Sequence, residues 1–292
     1  MLIIHHNDAD GRCAAAVVGR SSYAKDERAQ GRAVEFLEAN HNLLKRKDWM
    51  DHMWYRALHS DNPMVFVVDF CLPEEEMLKM DRAVQLYWID HHVSCRDFKL
   101  DQVKGLRDFA DKRRSGCELA WDFCFPHKPA PEIVTLIGDY DTWRLHCESR
   151  SKPLIVAMDS HQYGPDAAIW DELLLGKASS TLVGTLVGDG ATMTLYRDGY
   201  ARGCRESFGF ETVFHGIRCY ALNIGRMGSA MFGEKFKEYD ACLSFFYDGM
   251  NFAVSMYSEK PEIDCAAICR EHGGGGHRGA AGFTCMALPF NK

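Results

Sequence analysis

Three short apolar runs in this chain each end on acidic or imidazole residues, and that recurrence limits the fold more than any other feature. Leu2-Ile3-Ile4 runs into His5-His6-Asn7-Asp8-Ala9-Asp10-Gly11, Met64-Val65-Phe66-Val67-Val68 stops at Asp69, and Leu86-Tyr87-Trp88-Ile89 stops at Asp90-His91-His92. Short, continuously apolar runs suit strands buried on both faces, the situation of a parallel sheet. Helix-like segments lie between them. Asp10 to Arg20 is rich in Ala, and Pro73 before Glu74-Glu75-Glu76 is a good helix start, because Pro fits the first turn and acids favour the positive helix end. The alternation predicts an α/β domain: a parallel sheet with helices on both faces, whose ligands bind beyond the carboxyl ends of the strands. The polar clusters stand at those ends. A further apolar run, Ile133-Val134-Thr135-Leu136-Ile137, fits strand or helix and leads into Asp139-Tyr140-Asp141.

The texture changes from about residue 190. Thr212 to Asn223 reads as a strand, and Asp248-Gly249 between two apolar runs, Ala241 to Phe246 and Phe252 to Tyr257, reads as a hairpin turn. Glu262 to Glu271 reads as a helix, and a last strand ends near Cys285. Together these predict a smaller α+β unit. Gly176, Gly184, Gly188 and Gly190 cluster between Leu175 and Tyr200, which places the boundary there and the two domains over 1–185 and 186–292.

The four polar clusters bring at least six carboxylates and several imidazoles to one edge of the sheet. A single Asp at a strand end is ordinarily a turn or helix cap, and a lone His pair is ordinarily polar surface. Their joint occurrence points to chemistry. Bare carboxylates a few ångströms apart repel, and some would have to take up protons. Divalent cations remove the conflict, and mixed imidazole and carboxylate ligands suit Mn2+, Fe2+, Co2+ or Zn2+ better than Ca2+. Two such ions about 3.5–4 Å apart, bridged by a carboxylate, make a natural centre for phosphoester hydrolysis. Near the end stands Gly273-Gly274-Gly275-Gly276-His277-Arg278-Gly279-Ala280-Ala281-Gly282. Glycines there offer free N–H groups to an anion, and His277 and Arg278 add donors suited to phosphate or carboxylate. A flexible loop is the plainer alternative, against which the small residues 280–282 argue for tight packing.

A net charge of -7 disfavours a chain that grips long nucleic acid through many phosphates. Any phosphate is therefore met in a small focused site, where bound metal supplies the positive charge. The 12 cysteines are scattered with no CxxC pair, and the start of the chain carries neither a basic leader nor a long apolar stretch. The thiols accordingly read as free and buried in a reducing cytoplasm rather than as a disulfide framework. Cys265 and Cys269 share an i,i+4 spacing but lack two further nearby ligands for zinc. No segment approaches the roughly 20 apolar residues needed to cross a bilayer, so no membrane partner is expected.

The clusters resemble those of the DHH phosphoesterase superfamily, whose naming triplet reads here Asp90-His91-His92. The C-terminal glycine segment, Gly274-Gly275-Gly276-His277-Arg278-Gly279-Ala280-Ala281-Gly282, is similar to the GGGHxxAAG-like signature of its DHHA1 domain. The resemblance spans both halves in the right order. It implies an N-terminal DHH domain with a dimetal site and a smaller DHHA1 domain that binds substrate. By the resemblance, His6, Asp8 and Asp10 come from the first motif, Asp69 bridges, and His91 and Asp141 complete the second metal. The spacer after the first His is compressed here, so His5 stays an alternative to His6, as Asp139 does to Asp141. His92 would act near the scissile phosphate as proton donor or transition-state stabiliser, with Asp90 orienting a ligand from behind. Gly275, Gly276, His277 and Arg278, with Arg226 as a weaker candidate, would hold a terminal phosphate or neighbouring nucleotide.

The resemblance further implies two divalent ions, manganese first, with magnesium or cobalt as alternatives. Within the superfamily, the compact start His6-Asn7-Asp8-Ala9-Asp10-Gly11 is similar to the nano-RNase branch, which degrades short oligonucleotides 3′→5′ to mononucleotides. Cyclic or linear dinucleotides and phosphoadenosine phosphate are the alternative substrates, and a non-catalytic nucleotide-binding protein is the alternative class. Long duplex DNA is not an expected partner, and a homodimer stays open.

Overall fold

A computed structural model of the protein describes residues 1–59, 63–109, 114–225 and 228–291. The chain divides into two compact units, Met1–Met193 and Thr194–Lys292.

The first unit holds four parallel strands, β1 (Leu2–His6), β2 (Glu35–Ala39), β3 (Met64–Val68) and β4 (Gln85–Ile89), in the order β2-β1-β3-β4. Side chains alternate faces along each strand, and both faces of the inner strands are apolar. On one face Ile3, Phe66, Val68, Tyr87 and Ile89 pack with residues of α1 (Ala9–Val18) and α5 (Gly116–Cys124). On the other, Leu2, Ile4, Val65, Val67, Leu86 and Trp88 pack with Met53 and Ala57 of α3 (Lys47–Leu58) and Met77 and Met80 of α4 (Glu74–Ala83). The parallel sheet with helices on both faces is as the apolar runs predict. The edge strand β2 escaped the sequence reading because Glu35 and Glu38 break its apolar run. Helix α2 (Ser22–Ala29) follows α1, and α6 (Glu132–Asp141), α7 (Glu148–His161) and α8 (Ile169–Leu175) follow α5. The run Ile133–Ile137 is therefore helix.

The long helix α9 (Ser179–Phe208) runs through the glycine cluster. Gly184, Gly188 and Gly190 are helical, and the division between the two units, Met193/Thr194, falls within the same helix. The last residues of α9 open the second unit, whose sheet has the order β5-β6-β7-β8-β10-β9. Its strands are β5 (Gly209–Phe214), β6 (Ile217–Asn223), β7 (Ala241–Tyr247), β8 (Phe252–Tyr257), β9 (Gly275–His277) and β10 (Ala280–Cys285), with α10 (Lys235–Glu238) and α11 (Cys265–Glu271) beside them. The segment Thr212 to Asn223 is two antiparallel strands rather than one, because His215 and Gly216 take left-handed φ values of 51° and 75° and turn the chain. The Asp248-Gly249 hairpin joins β7 and β8 as expected. Helix α11 starts at Cys265 rather than Glu262, with the Asp264 carboxylate accepting from the Ala267 N–H at 2.9 Å. The glycine segment is not a loose loop. It pairs as β9 with β10, and a Cβ at Gly276 would come within 2.6 Å of Ala281 Cα.

Cys71 and Cys95 are disulfide-bonded, which corrects the expectation that every cysteine is a free thiol. The bond joins the segment after β3 to the turn after β4, stretches that strand pairing sets side by side. Ten other cysteines are free. Among the described residues no helix is long and apolar enough to cross a membrane.

Candidate metal centre

The acids and imidazoles at the strand ends of the first unit converge. His6, Asp8 and Asp69 form one group of three potential donors, and Asp10, His91 and Asp141 form a second, the donor atoms of each lying within 4.8 Å of one another. A third group, Asp69, His91 and His92, overlaps both. Asp69 therefore stands between the two triads: its Oδ2 is 3.9 Å from His6 Nδ1 and its Oδ1 is 3.1 Å from His91 Nε2. His91 Nε2 also lies 3.5 Å from Asp141 Oδ2 and 3.9 Å from Asp10 Oδ2.

Local structure holds each group. Asp8 caps α1, its Oδ1 accepting from the Gly11 N–H at 2.9 Å, while its Oδ2 meets His6 Nδ1 at 2.5 Å. Asp10 accepts the N–H groups of Gly116 and Cys117 at 2.7 and 3.0 Å, so the positive end of α5 fixes its carboxylate. Gly116 is a required glycine: a Cβ there would fall 2.4 Å from Asp69 Cβ. Asp69 itself has φ +51°, a left-handed backbone uncommon for a non-glycine residue and typical of functional sites. The Phe70 ring stacks on His6 at 5.7 Å. Asp90 is fully buried. Its Oδ1 accepts the N–H groups of His91 and His92 at 2.8 and 3.2 Å and meets His92 Nδ1 at 2.7 Å.

The two alternatives left open by sequence lie elsewhere. His5 is buried with its Nδ1 against His6 O at 2.7 Å. Asp139 accepts the N–H groups of His146 and Cys147 at 2.8 and 3.1 Å, closing the loop after α6. Arg226 lies outside the described residues. In the second unit Gly275, Gly276 and His277 are on β9. Arg278, in the turn to β10, donates to Pro261 O and lies 3.8 Å from Asp264 Oδ2. The contributions of Gly116, Cys117 and Phe70 were missed from sequence. The Ser115-x-x-Glu118 capping box was a legible sign that a helix begins there.

Electrostatics show how strongly the acids crowd one another. Burial, then the charges of Asp10, Asp8, Asp141 and Asp90, push the Asp69 carboxyl well above the ordinary range. Burial and the carboxylates of Asp10 and Asp8 push Asp141 up to about 8. Asp69 Oδ1 is buried and accepts no hydrogen bond, a costly state that ion binding would relieve. Burial lowers His91, which favours the neutral, ligating form of the imidazole. Burial would also lower His92, but the hydrogen bond and charge of Asp90 outweigh it, with Asp141 and Asp10 adding, and raise His92 above its usual value. The donor set and the orphaned oxygen fit a divalent-cation centre.

No family model matches the sequence, and no curated protein matches it. Solved structures do. The chain is similar to PggH, a pGpG-specific phosphodiesterase of Vibrio cholerae, at a TM-score of 0.60 and 11% identity over 98% of this chain and 93% of that one. The DHH domain of a member of the s1p family of ribosomal proteins gives 0.58 at 16% identity over 97% and 82% of the two chains. RecJ from Thermus thermophilus, in complex with Mn2+, gives 0.52 at 16% identity over 98% of this chain but 49% of RecJ, so the chain spans about half of RecJ's length. The fold and site thus define a two-unit α/β protein with acids and imidazoles massed at the strand ends of the first unit. The fold is the one shared by PggH, the solved DHH domain and RecJ.

Proposed function

We propose that the protein is a phosphodiesterase dependent on two divalent ions, hydrolysing short oligonucleotides 3′→5′ to mononucleotides. The observation that carries this reading is the pair of donor triads, His6/Asp8/Asp69 and Asp10/His91/Asp141, meeting at a buried carboxylate oxygen with no hydrogen bond. These six residues would hold the ions, manganese by preference, with magnesium or cobalt as alternatives. Bound there, the ions would supply positive charge to the phosphate oxygens and lower the pKa of an attacking water. His92, whose charged form Asp90 stabilises, would donate a proton to the departing oxygen. Asp90 fixes the ring by binding Nδ1, which leaves Nε2 to carry that proton. Gly275, Gly276, His277 and Arg278, with Arg226 as a weaker candidate, would bind the substrate's terminal phosphate or neighbouring nucleotide.

Similarity to a phosphodiesterase specific for pGpG favours a dinucleotide as the shortest substrate. The net charge of -7 fits small substrates rather than long nucleic acid, and a cytoplasmic setting suits them. The test is a turnover assay with Mn2+ on a 5′-phosphorylated dinucleotide, a pentanucleotide, a cyclic dinucleotide, phosphoadenosine phosphate and pyrophosphate, with chelator controls. Release of mononucleotides from the linear substrates supports the reading. Cleavage of only another compound reassigns the substrate, and full activity in excess chelator overturns the metal dependence.

A further inference from the structure

Trp143 is 55% exposed although it carries the largest apolar side chain, and its backbone is left-handed at φ 56°. A bulky residue keeps that conformation only where its surroundings impose it, and here they do. The Trp143 N–H donates to Tyr140 O at 2.9 Å, Thr142 Oγ1 to Gly138 O at 2.6 Å, and Leu145 N to Asp139 O at 3.2 Å. Both oxygens of Asp139 tie down the next two amides, and Arg144 is anchored on Glu118 at 2.8 Å. The loop is thus braced on both sides of an indole that it presents to solvent.

The surroundings of the indole indicate what it would meet. The ring of Tyr140 stands 5.5 Å away, steeply inclined to the indole at 66°. Tyr140 also lines a cavity of about 160 Å3 with Asp8, Asp10, Asp141 and the apolar Ile137 and Ile155. The indole is therefore backed by a wall of the acid cavity, two residues along the chain from Asp141. The Lys152 ammonium, which pairs with Glu148 at 2.5 Å, sits 5.6 Å from the indole centroid. A braced, half-exposed indole beside the acid cavity, with the Lys152 ammonium over its ring, matches the chemistry of base stacking, which tolerates any sequence because every base has a π-face.

Resting on the phosphodiesterase reading, we propose that Trp143, backed by Tyr140, is a stacking surface for a nucleobase of the nucleotide substrate. It positions the nucleotide and discriminates nucleotides from plain sugar phosphates. The test compares binding of GMP and of ribose 5-phosphate to the Mn2+-loaded protein by calorimetry. The expected result is roughly tenfold tighter binding of GMP. Trp143→Ala removes that advantage and leaves ribose 5-phosphate affinity unchanged, while Trp143→Phe keeps most of it. Equal affinity of the two ligands in the unaltered protein, or an advantage that survives in Trp143→Ala, overturns the proposal. Turnover of a dinucleotide, measured alongside, separates it from the reading beneath: hydrolysis without a Trp143-dependent base effect removes the stacking surface alone. Base-dependent binding without hydrolysis of any substrate removes the phosphodiesterase alone.

Discussion

His91 Nε2 stands 3.1 Å from Asp69 Oδ1, an oxygen that is buried and receives no hydrogen bond. One carboxylate thus faces both donor triads. Asp69→Asn keeps the shape and removes the charge. Turnover should fall by more than about 100-fold, beyond what even a residue supporting a ligand costs. The same substitution should leave the chelated protein as stable or more stable, because it removes a carboxyl whose ionisation burial and its neighbours oppose. Kinetics and thermal melts in chelator check both, and near-normal turnover would sink the shared-carboxylate model.

The crowded acids predict a pH trend in stability. Asp141 is pushed up to about 8 and Asp69 well above the usual range, whereas unfolded carboxyls titrate near about 4. A carboxyl whose pKa folding raises contributes stability that is fully present below the unfolded pKa and lost as pH climbs through the folded one. Melting of the chelated protein should therefore fall between about pH 5 and pH 8. Mn2+ at about 100 times its dissociation constant should add about 2.7 kcal/mol, and its effect should grow with pH because ligands bind metal deprotonated. A midpoint in chelator that is level or rises across this window would count against the crowding.

Asp90 supports His92 through a 2.7 Å contact and raises its pKa against the effect of burial. Asp90→Asn should shift the alkaline limb of the kcat profile to lower pH and reduce kcat about 10- to 100-fold. An unmoved limb would remove His92 as the proton donor.

Gly116 lets the start of α5 pass against Asp69. Gly116→Ala would set a Cβ 2.4 Å from Asp69 Cβ. Overpacking of this kind costs about 1–3 kcal/mol, and the displaced carboxylate should weaken Mn2+ binding measurably. Unchanged melting and Mn2+ affinity would show that the contact yields without consequence.

The strand ends were readable because β1, β3 and β4 are continuously apolar and each stops on acids or imidazoles. The two-faced sheet follows from the same runs. Less was readable where local pattern and tertiary need diverge. Glu35 and Glu38 hid β2 because an edge strand can afford polar side chains. The glycines of α9 resemble a break, yet the helix holds them. His215 turns the chain through φ 51°, a state its residue type does not announce. Cys71 and Cys95, 24 positions apart, meet through strand pairing, which arguments from chain length and compartment do not reach. The braces of the cluster, the Gly116 and Cys117 amides, lie more than 100 positions from the Asp10 that they hold.

The order β2-β1-β3-β4 has a consequence for where chemistry can reside. From β1 the chain leaves by α1 over one face of the sheet toward β2; from β3 it leaves by α4 over the opposite face toward β4. Between the ends of these neighbouring strands the connections part, opening the crevice at a topological switch point. His6 closes β1 and Asp69 follows β3, so the two stand on either lip of that crevice. The location of the centre is thus set by winding direction, and the loops around it can vary in length and sequence while the crevice stays where the sheet opens it.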